Sequence, residues 1–258
     1  ENLSEAWIGY SRADGFSLRA GRQRLIEDKA RFLGNVGFRQ LEQTFDAVTL
    51  GLSAGSWRAD VRWLDKAHRV FGPDNPNDLL AEADLNAWMG TLAHPVGRSS
   101  LAIYAHRIAF DDRRASHRNL GLRLTGPLPG TTAFSYRLEF ARQDGLRELH
   151  GVDGQDYLHA RIAQKLTGWH WFAGHERLGG DGHYAFQTPL ATLHAHNGWS
   201  DQFLSTPADG LIDTYAAAGT KLGQWTGLVK LHDVRSDQRS RSYGREYGLM
   251  VKRPLVAG

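Results

Sequence analysis

A serine between spaced glycines, a close pair of histidines and an excess of arginine are the features of this sequence that could carry chemistry. Gly51-Leu52-Ser53-Ala54-Gly55 has the G-x-S-x-G spacing that exposes a strained serine nucleophile when a strand precedes it and a helix follows. Here Trp57 to Trp63 alternates apolar and charged residues, so a second strand follows and a hairpin turn is expected instead. His194 and His196, at i and i+2, could share a strand face and hold a metal. No H-E-x-x-H accompanies them, and they are expected to be loop histidines with no metal. No P-loop and no G-x-G-x-x-G occurs, so neither a cofactor nor catalysis is expected.

Arginine is the remaining candidate. Of the 31 basic residues, 25 are Arg and 6 are Lys. Guanidinium forks stay charged when partly desolvated and grip carboxylates with two hydrogen bonds. A high-GC genome would produce the same bias. The net charge of +3 is too mild and too dispersed for nucleic acid, which demands a concentrated basic stripe.

The elements that position these arginines alternate with period two, and no segment holds a helical apolar stripe for three turns. In Trp57 to Trp63, Trp57, Ala59, Val61 and Trp63 oppose Arg58, Asp60 and Arg62; in Phe134 to Gln143, Phe134, Tyr136, Leu138 and Phe140 oppose Ser135, Arg137, Glu139 and Gln143. Leu120, Leu122 and Leu124 flank Arg123, and Leu158, Ala160 and Ile162 flank Arg161. The chain of 258 residues thus reads as one all-β domain, residues 1–258, with 13 strands starting near residues 4, 16, 45, 57, 85, 99, 119, 132, 156, 168, 211, 224 and 243.

Connections between these strands alternate short and long. Tight turns fall at Ala13–Gly15, Ser53–Ser56, Pro95–Arg98, Pro127–Thr131, Thr167–Gly168 and Lys221–Gln224. Long ones fall at Leu25–Thr44, Phe71–Asp84, Asp111–Arg118, Asp144–Gln155, Arg177–Gly210 and Asp233–Ser242. That layout predicts an antiparallel transmembrane β-barrel of the bacterial outer membrane, with short periplasmic turns and long outer loops. A mean hydropathy of −0.45 agrees, because alternating strands average out polar. No run nears the roughly 18 apolar residues of a membrane helix. The 29 Gly, 8 Trp, 8 Tyr and 11 Phe suit turns and aromatic girdles, and the absence of Cys rules out disulfides.

Once the barrel is granted, the apolar faces meet lipid, where an arginine at the midplane costs about 2 to 4 kcal/mol. Arg19, Arg58, Arg62, Arg123, Arg137 and Arg161 are therefore expected in the lumen, selecting anions, or braced there by carboxylates such as Asp60 and Glu139. Strand one runs toward the periplasm and so does strand thirteen. An even strand count would require an odd number before residue 1, and the end, Leu255-Val256-Ala257-Gly258, lacks a terminal aromatic strand, so a truncated chain is expected.

Two stretches are more specific. Gly21 to Ala47, GRQRLIEDKARFLGNVGFRQLEQTFDA, and Ala185 to Leu211, AFQTPLATLHAHNGWSDQFLSTPADGL, resemble the signature of the alginate-export outer-membrane porins. Their spacing from Leu231-His232-Asp233 and from Tyr243-Gly244-Arg245-Glu246 extends the resemblance across the chain. It implies a monomeric barrel of 16 to 18 strands in the outer-membrane lipid. Its Arg-rich lumen would pass an anionic polysaccharide such as alginate outward, with periplasmic secretion machinery as a further partner. By position, Arg22, Gln23, Arg24, Arg31, Arg39 and Asp46 belong to the first segment, and His194, Trp199 and Asp201 to the second. A pore role is implied for Arg22, Arg24 and Arg39. The structural alternative for the second segment is a long loop folded on itself or into the lumen as a plug, which alone would account for Gly198, Trp199 and Pro207. The chain departs from the family where Gly248 takes an acidic position of a YGxExD motif, and where Ser200 follows Gly198-Trp199 in place of Ala. A divergent cargo fits those departures.

The expected function is a passive channel for an anionic polysaccharide. Alternatives are an uptake porin for small organic acids or oligosaccharides, a secreted all-β polysaccharide-binding protein, and an adhesin or structural barrel.

Overall fold

A computed structural model describes residues 3–72, 82–111, 116–131, 133–146 and 154–254. Thirteen strands form one sheet: β1 (Ala6–Ser11), β2 (Phe16–Gln23), β3 (Thr44–Ala54), β4 (Trp57–His68), β5 (Glu82–Val96), β6 (Ser99–Phe110), β7 (His117–Pro127), β8 (Phe134–Gly145), β9 (Gln155–Lys165), β10 (Trp169–Leu178), β11 (Leu211–Leu222), β12 (Trp225–Arg235) and β13 (Ser242–Lys252). Each pairs antiparallel with its sequence neighbours, in the order β1 to β13, so β1 and β13 are the edges. All 13 expected strands are present, and all but β1 and β2 have at least the roughly 9 residues that a tilted strand needs to cross a bilayer. Among the described residues no helix is long and apolar enough to cross a membrane.

One end of the sheet carries the gaps 12–15, 55–56, 97–98, 128–133, 166–168 and 223–224; the other carries 24–43, 69–81, 111–116, 146–154, 179–210 and 236–241. Residues 73–81, 112–115 and 147–153, on three of the expected long connections, and the final residues 255–258 lie outside the described residues. The G-x-S-x-G motif is the end of β3 and the turn into β4, with Gly55 at a φ of 57°.

The two sheet faces differ as the alternation requires. On one face Leu18, Val48, Leu52, Trp57, Val61, Leu92, Ile103, Leu120, Leu122, Leu138, Phe140, Leu158, Val229, Leu231, Leu249 and Val251 are exposed, an apolar band suited to lipid. At its short-turn rim Tyr10, Trp57, Trp169 and Trp225 form an aromatic girdle. The opposite face is covered by the chain itself. Phe32 packs there against Tyr104, Tyr157 and Phe186, and Leu33, Leu85, Met89, Ile108 and Leu190 complete a buried core.

That covering shows the sheet's shape. Glu27 touches β4 through Arg62, while Arg31 touches β10 through Glu176. In a flat sheet, six interstrand steps of about 4.8 Å separate those strands, close to 29 Å. Four residues reach at most about 14 Å. These short links, with residues from both inward loops in one buried core on that face, describe a sheet curled around residues 24–43 with that loop on its concave side.

Candidate functional site: a loop-filled lumen

Six arginines expected on the inner face are there. Arg62, Arg123, Arg137 and Arg161 share register rows with the buried Met89, Ala102 and Glu139, and Arg58 and Arg19 continue the same parity on β4 and β2. Their surroundings then divide them. Residues 24–43 fold inward and bring Glu27 and Asp28 onto the arginine row. The Glu27 carboxylate lies 3.8 Å from Arg62 and 3.3 Å from His106, and accepts a hydrogen bond from Thr91 at 2.9 Å. Asp28 holds Arg137 at 2.6 Å and Arg123 at 3.6 Å. Glu139 meets the same two guanidiniums, at 2.5 and 3.4 Å, and Asp60 lies 3.9 Å from Arg62. Burial alone would push the Glu27 carboxyl up, but His106 and Arg62 overcome it and hold it near 2. Asp28 is likewise held below the usual range against its burial, chiefly by Arg137.

A second knot fixes loop 179–210. The Glu176 carboxylate pairs with Arg31 at 3.0 Å and accepts hydrogen bonds from Tyr157 Oη and Asn197 Nδ2, both at 2.7 Å. Asn197 also accepts from Arg31 at 3.2 Å, and His232 pairs with Asp213 at 2.8 Å. Loss of solvation, reinforced by Arg31, lowers His196 to about 3 and keeps it neutral. The two loops bind each other as well: Gly34 N donates to Leu190 O, Val36 N to Thr192 Oγ1, and Phe38 stacks on His194 at 3.9 Å.

Arg39, His194 and Asp201, separate in sequence, meet in this seam, with Asp201 2.8 Å from His194 and 3.5 Å from Arg39. Trp199 is held against the last strand. Its N–H and that of Ser200 donate to Glu246, and its ring lies where a side chain at Gly248 would project. In this chain Gly248, where the family pattern has an acidic residue, leaves its space to the Trp199 ring. Gly198, at a φ of 102°, likewise leaves its space to the Glu246 carboxylate. The second segment packs on the inner face against residues 24–43.

Two other residues fall elsewhere. Arg22 has the parity opposite to the inward Gln23 and lies on the outward face, donating to Asp46 at 2.9 and 3.2 Å, with His68 2.9 Å from the same carboxylate. Arg24 is in the loop beyond β2, paired with Glu42 at 2.6 Å and Glu5 at 3.4 Å. Neither stands in the luminal guanidinium row, because strand parity and the loop departure turn them away.

What the loops leave open is a luminal cavity of about 290 Å³, whose wall includes Arg161, Lys230, Phe172, Tyr215, His159 and His196. Arg161 lies over the Phe172 ring at 4.4 Å, and Lys230 lies 5.7 Å from the Tyr215 ring and 5.9 Å from the Trp199 ring. Among the described residues neither cation has a carboxylate within ion-pair distance. Arg19 over Trp7 at 4.0 Å and Arg58 by the 55–56 turn are luminal cations of the same kind. Lys230 escaped the sequence reading, although the alternation of Val229 and Leu231 with Lys230 and His232 carried its signal. Glu27, Asp28, Glu176 and Asn197 had no such signal, since their partners are remote in sequence. No group of three or more metal-ligating side chains is found among the described residues.

An antiparallel sheet with a lipid-facing apolar band, a curled polar interior and inward-folded long loops defines the outer-membrane β-barrel class. The sequence matches the Alginate export family over residues 1–186, and the chain belongs to that family, a protein of the bacterial outer membrane. The second signature segment lies beyond the matched residues. No curated protein matches the chain. Its fold is similar to that of OpdK of Pseudomonas aeruginosa, solved with vanillate (TM-score 0.71, 11% identity, 93% of this chain and 66% of that one). It is also similar to OccK3 (OpdO) of Pseudomonas aeruginosa (0.71, 15%, 96% and 68%). OccAB4 of Acinetobacter baumannii is another neighbour (0.70, 12%, 94% and 63%). These are outer-membrane porins, and the chain spans about two thirds of their length. An outer-membrane location removes the secreted soluble alternative.

Proposed function

We propose that this chain forms the wall and plug of a passive, anion-preferring outer-membrane channel whose cargo is a carboxylated saccharide of the uronate type. The observation that carries the reading is the pair Arg161 and Lys230, two cations with no carboxylate at ion-pair distance among the described residues, beside Phe172 and Tyr215 in one luminal cavity whose own carboxylates, Glu176 and Asp213, are taken up by Arg31 and His232. A carboxylate entering there exchanges its water for a guanidinium and an ammonium, while the aromatic rings receive the apolar face of a sugar. Binding by two cations in a wet lumen remains weak enough for release, as conduction requires. No catalytic step belongs to this reading. Membership in the Alginate export family supports export of a polyuronate.

A second reading, a channel for small organic acids, is favoured by the two loops that fill the lumen and leave room for about one sugar ring. The vanillate in OpdK belongs to that protein, but it is an aromatic carboxylate of a size the cavity admits. Planar-bilayer recordings of the full-length protein separate the two. Current block by oligouronates and not by neutral oligosaccharides of equal length supports the first reading; block by single-ring carboxylates alone supports the second. Equal block by neutral and charged sugars defeats both.

A further inference from the structure

The lipid-facing wall also carries charge. Outward residues on β4 to β8 form a grid read from the strand register: one row is Trp63, Trp88, Arg107, Arg118 and Asp144, and the row two residues deeper is Val61, Gly90, Ala105, Leu120 and Arg142. Below them run Ala59, Leu92, Ile103, Leu122 and Phe140, all apolar. The first row lies within three residues of the ends of β6 and β7 that carry the long-loop gap 111–116, the outer side of the membrane. Arg107 and Arg118 are direct cross-strand partners, a like-charge opposition that costs stability. Arg118 pairs with Asp144 at 3.1 Å and Arg142 with Asp156 at 2.9 Å. Arg107 has no hydrogen-bond or ion-pair partner among the described residues.

These groups edge a groove of about 590 Å³ floored by Gly90 and Ala105 and flanked by Val61, Trp88 and Leu120. A polar lip of guanidiniums above an apolar trough matches one occupant in that leaflet: a phosphate-bearing headgroup with acyl chains beneath it. We propose that Arg107 and Arg118 bind a phosphate of an outer-leaflet glycolipid of the lipid A type, with its chains along the Gly90–Ala105 groove. The phosphate supplies Arg107 with the anion it lacks and shares Arg118 with Asp144, through charge-assisted hydrogen bonds. Trp88, in the same row one strand over from Arg107, meets the sugar at headgroup level, where indole rings favour the interface.

The test is native mass spectrometry of the full-length protein in detergent, titrated with bisphosphorylated lipid A, its dephosphorylated form, phosphatidylglycerol and inorganic phosphate. Expected is a retained one-to-one adduct with bisphosphorylated lipid A, at least tenfold weaker without its phosphates and at least tenfold weaker in the Arg107→Gln/Arg118→Gln protein. Equal retention of the dephosphorylated lipid or of phosphatidylglycerol overturns the assignment, as does unchanged binding by a folded double variant. Displacement of the lipid by inorganic phosphate at equal concentration overturns the lipid as ligand. The lipid series needs only the unmodified protein, so the test stands if the variant does not fold.

Discussion

Arg137 on β8 and Arg161 on β9 are direct cross-strand partners on the same inner face, yet they live in different surroundings. Arg137 lies between Asp28 and Glu139, whereas Arg161 has no ion-pair partner among the described residues and rests on Phe172. Residues 24–43 supply the difference, since that loop extends two carboxylates over β4 to β8 and then turns its own Arg31 toward Glu176. An arginine on the inner face is thus a wall brace where a loop offers an anion, and keeps its charge without a carboxylate partner where the loop offers none. Opposed like charges are tolerated because one of the two is already neutralised.

Removing the carboxylate that ties the loops is expected to have the largest effect. Glu176→Gln leaves Arg31 buried without its counter-charge, a loss of about 3 to 5 kcal/mol for such pairs. The plug should loosen, seen as faster proteolysis of residues 24–43 and 179–210 and larger single-channel current. An unchanged protease pattern would mean that the knot does not hold the plug. Next in size is Arg137→Gln, expected to cost about 3 kcal/mol by leaving Asp28 and Glu139 under-compensated. Thermal unfolding in detergent reads this cost. Its counterpart, Arg161→Gln with Lys230→Gln, should leave the melting temperature within a few degrees and lower uronate block about tenfold. If Arg161→Gln/Lys230→Gln destabilised the barrel as much as Arg137→Gln does, the division into braces and binding site would fail.

Acid should act on the docked His196 loop first and on the braced carboxylates only at lower pH. The folded Glu27 carboxyl titrates near 2, below its ordinary 4.5, so its stabilisation is complete above 4.5 and lost as pH falls through about 2. His196 titrates near 3 when docked against an ordinary 6.5, so the undocked loop binds the extra proton between those values and docking weakens as pH falls from 6.5 to 3. Both signs agree: single-channel noise should rise on acidification from pH 7 to 4, and quiet traces at pH 4 would contradict this. The smallest effect is expected from Gly248→Ala, whose methyl meets the Trp199 ring. A loss of about 1 to 3 kcal/mol is typical of such overpacking, localised to the 199–201 contact and readable as Trp199 fluorescence.

The sequence by itself determined the strands, the faces and the topology. Period-two alternation in segments such as Trp57–Trp63 leaves one orientation that keeps charge from lipid, so Arg62, Arg123, Arg137 and Arg161 were legible as luminal residues. The alternation of short and long gaps fixed the order of the antiparallel wall. Only the tertiary structure decided which arginines act as braces. The partners Glu27 and Asp28 lie on a loop without periodicity, and their contacts with Arg62, Arg123 and Arg137 are long-range. Arg22 shows the same limit from the other side, because one step of strand parity at the end of β2 turned it outward to Asp46. Alternation reports which face a side chain takes; what waits on that face depends on where a loop folds, and residues remote in sequence decide it.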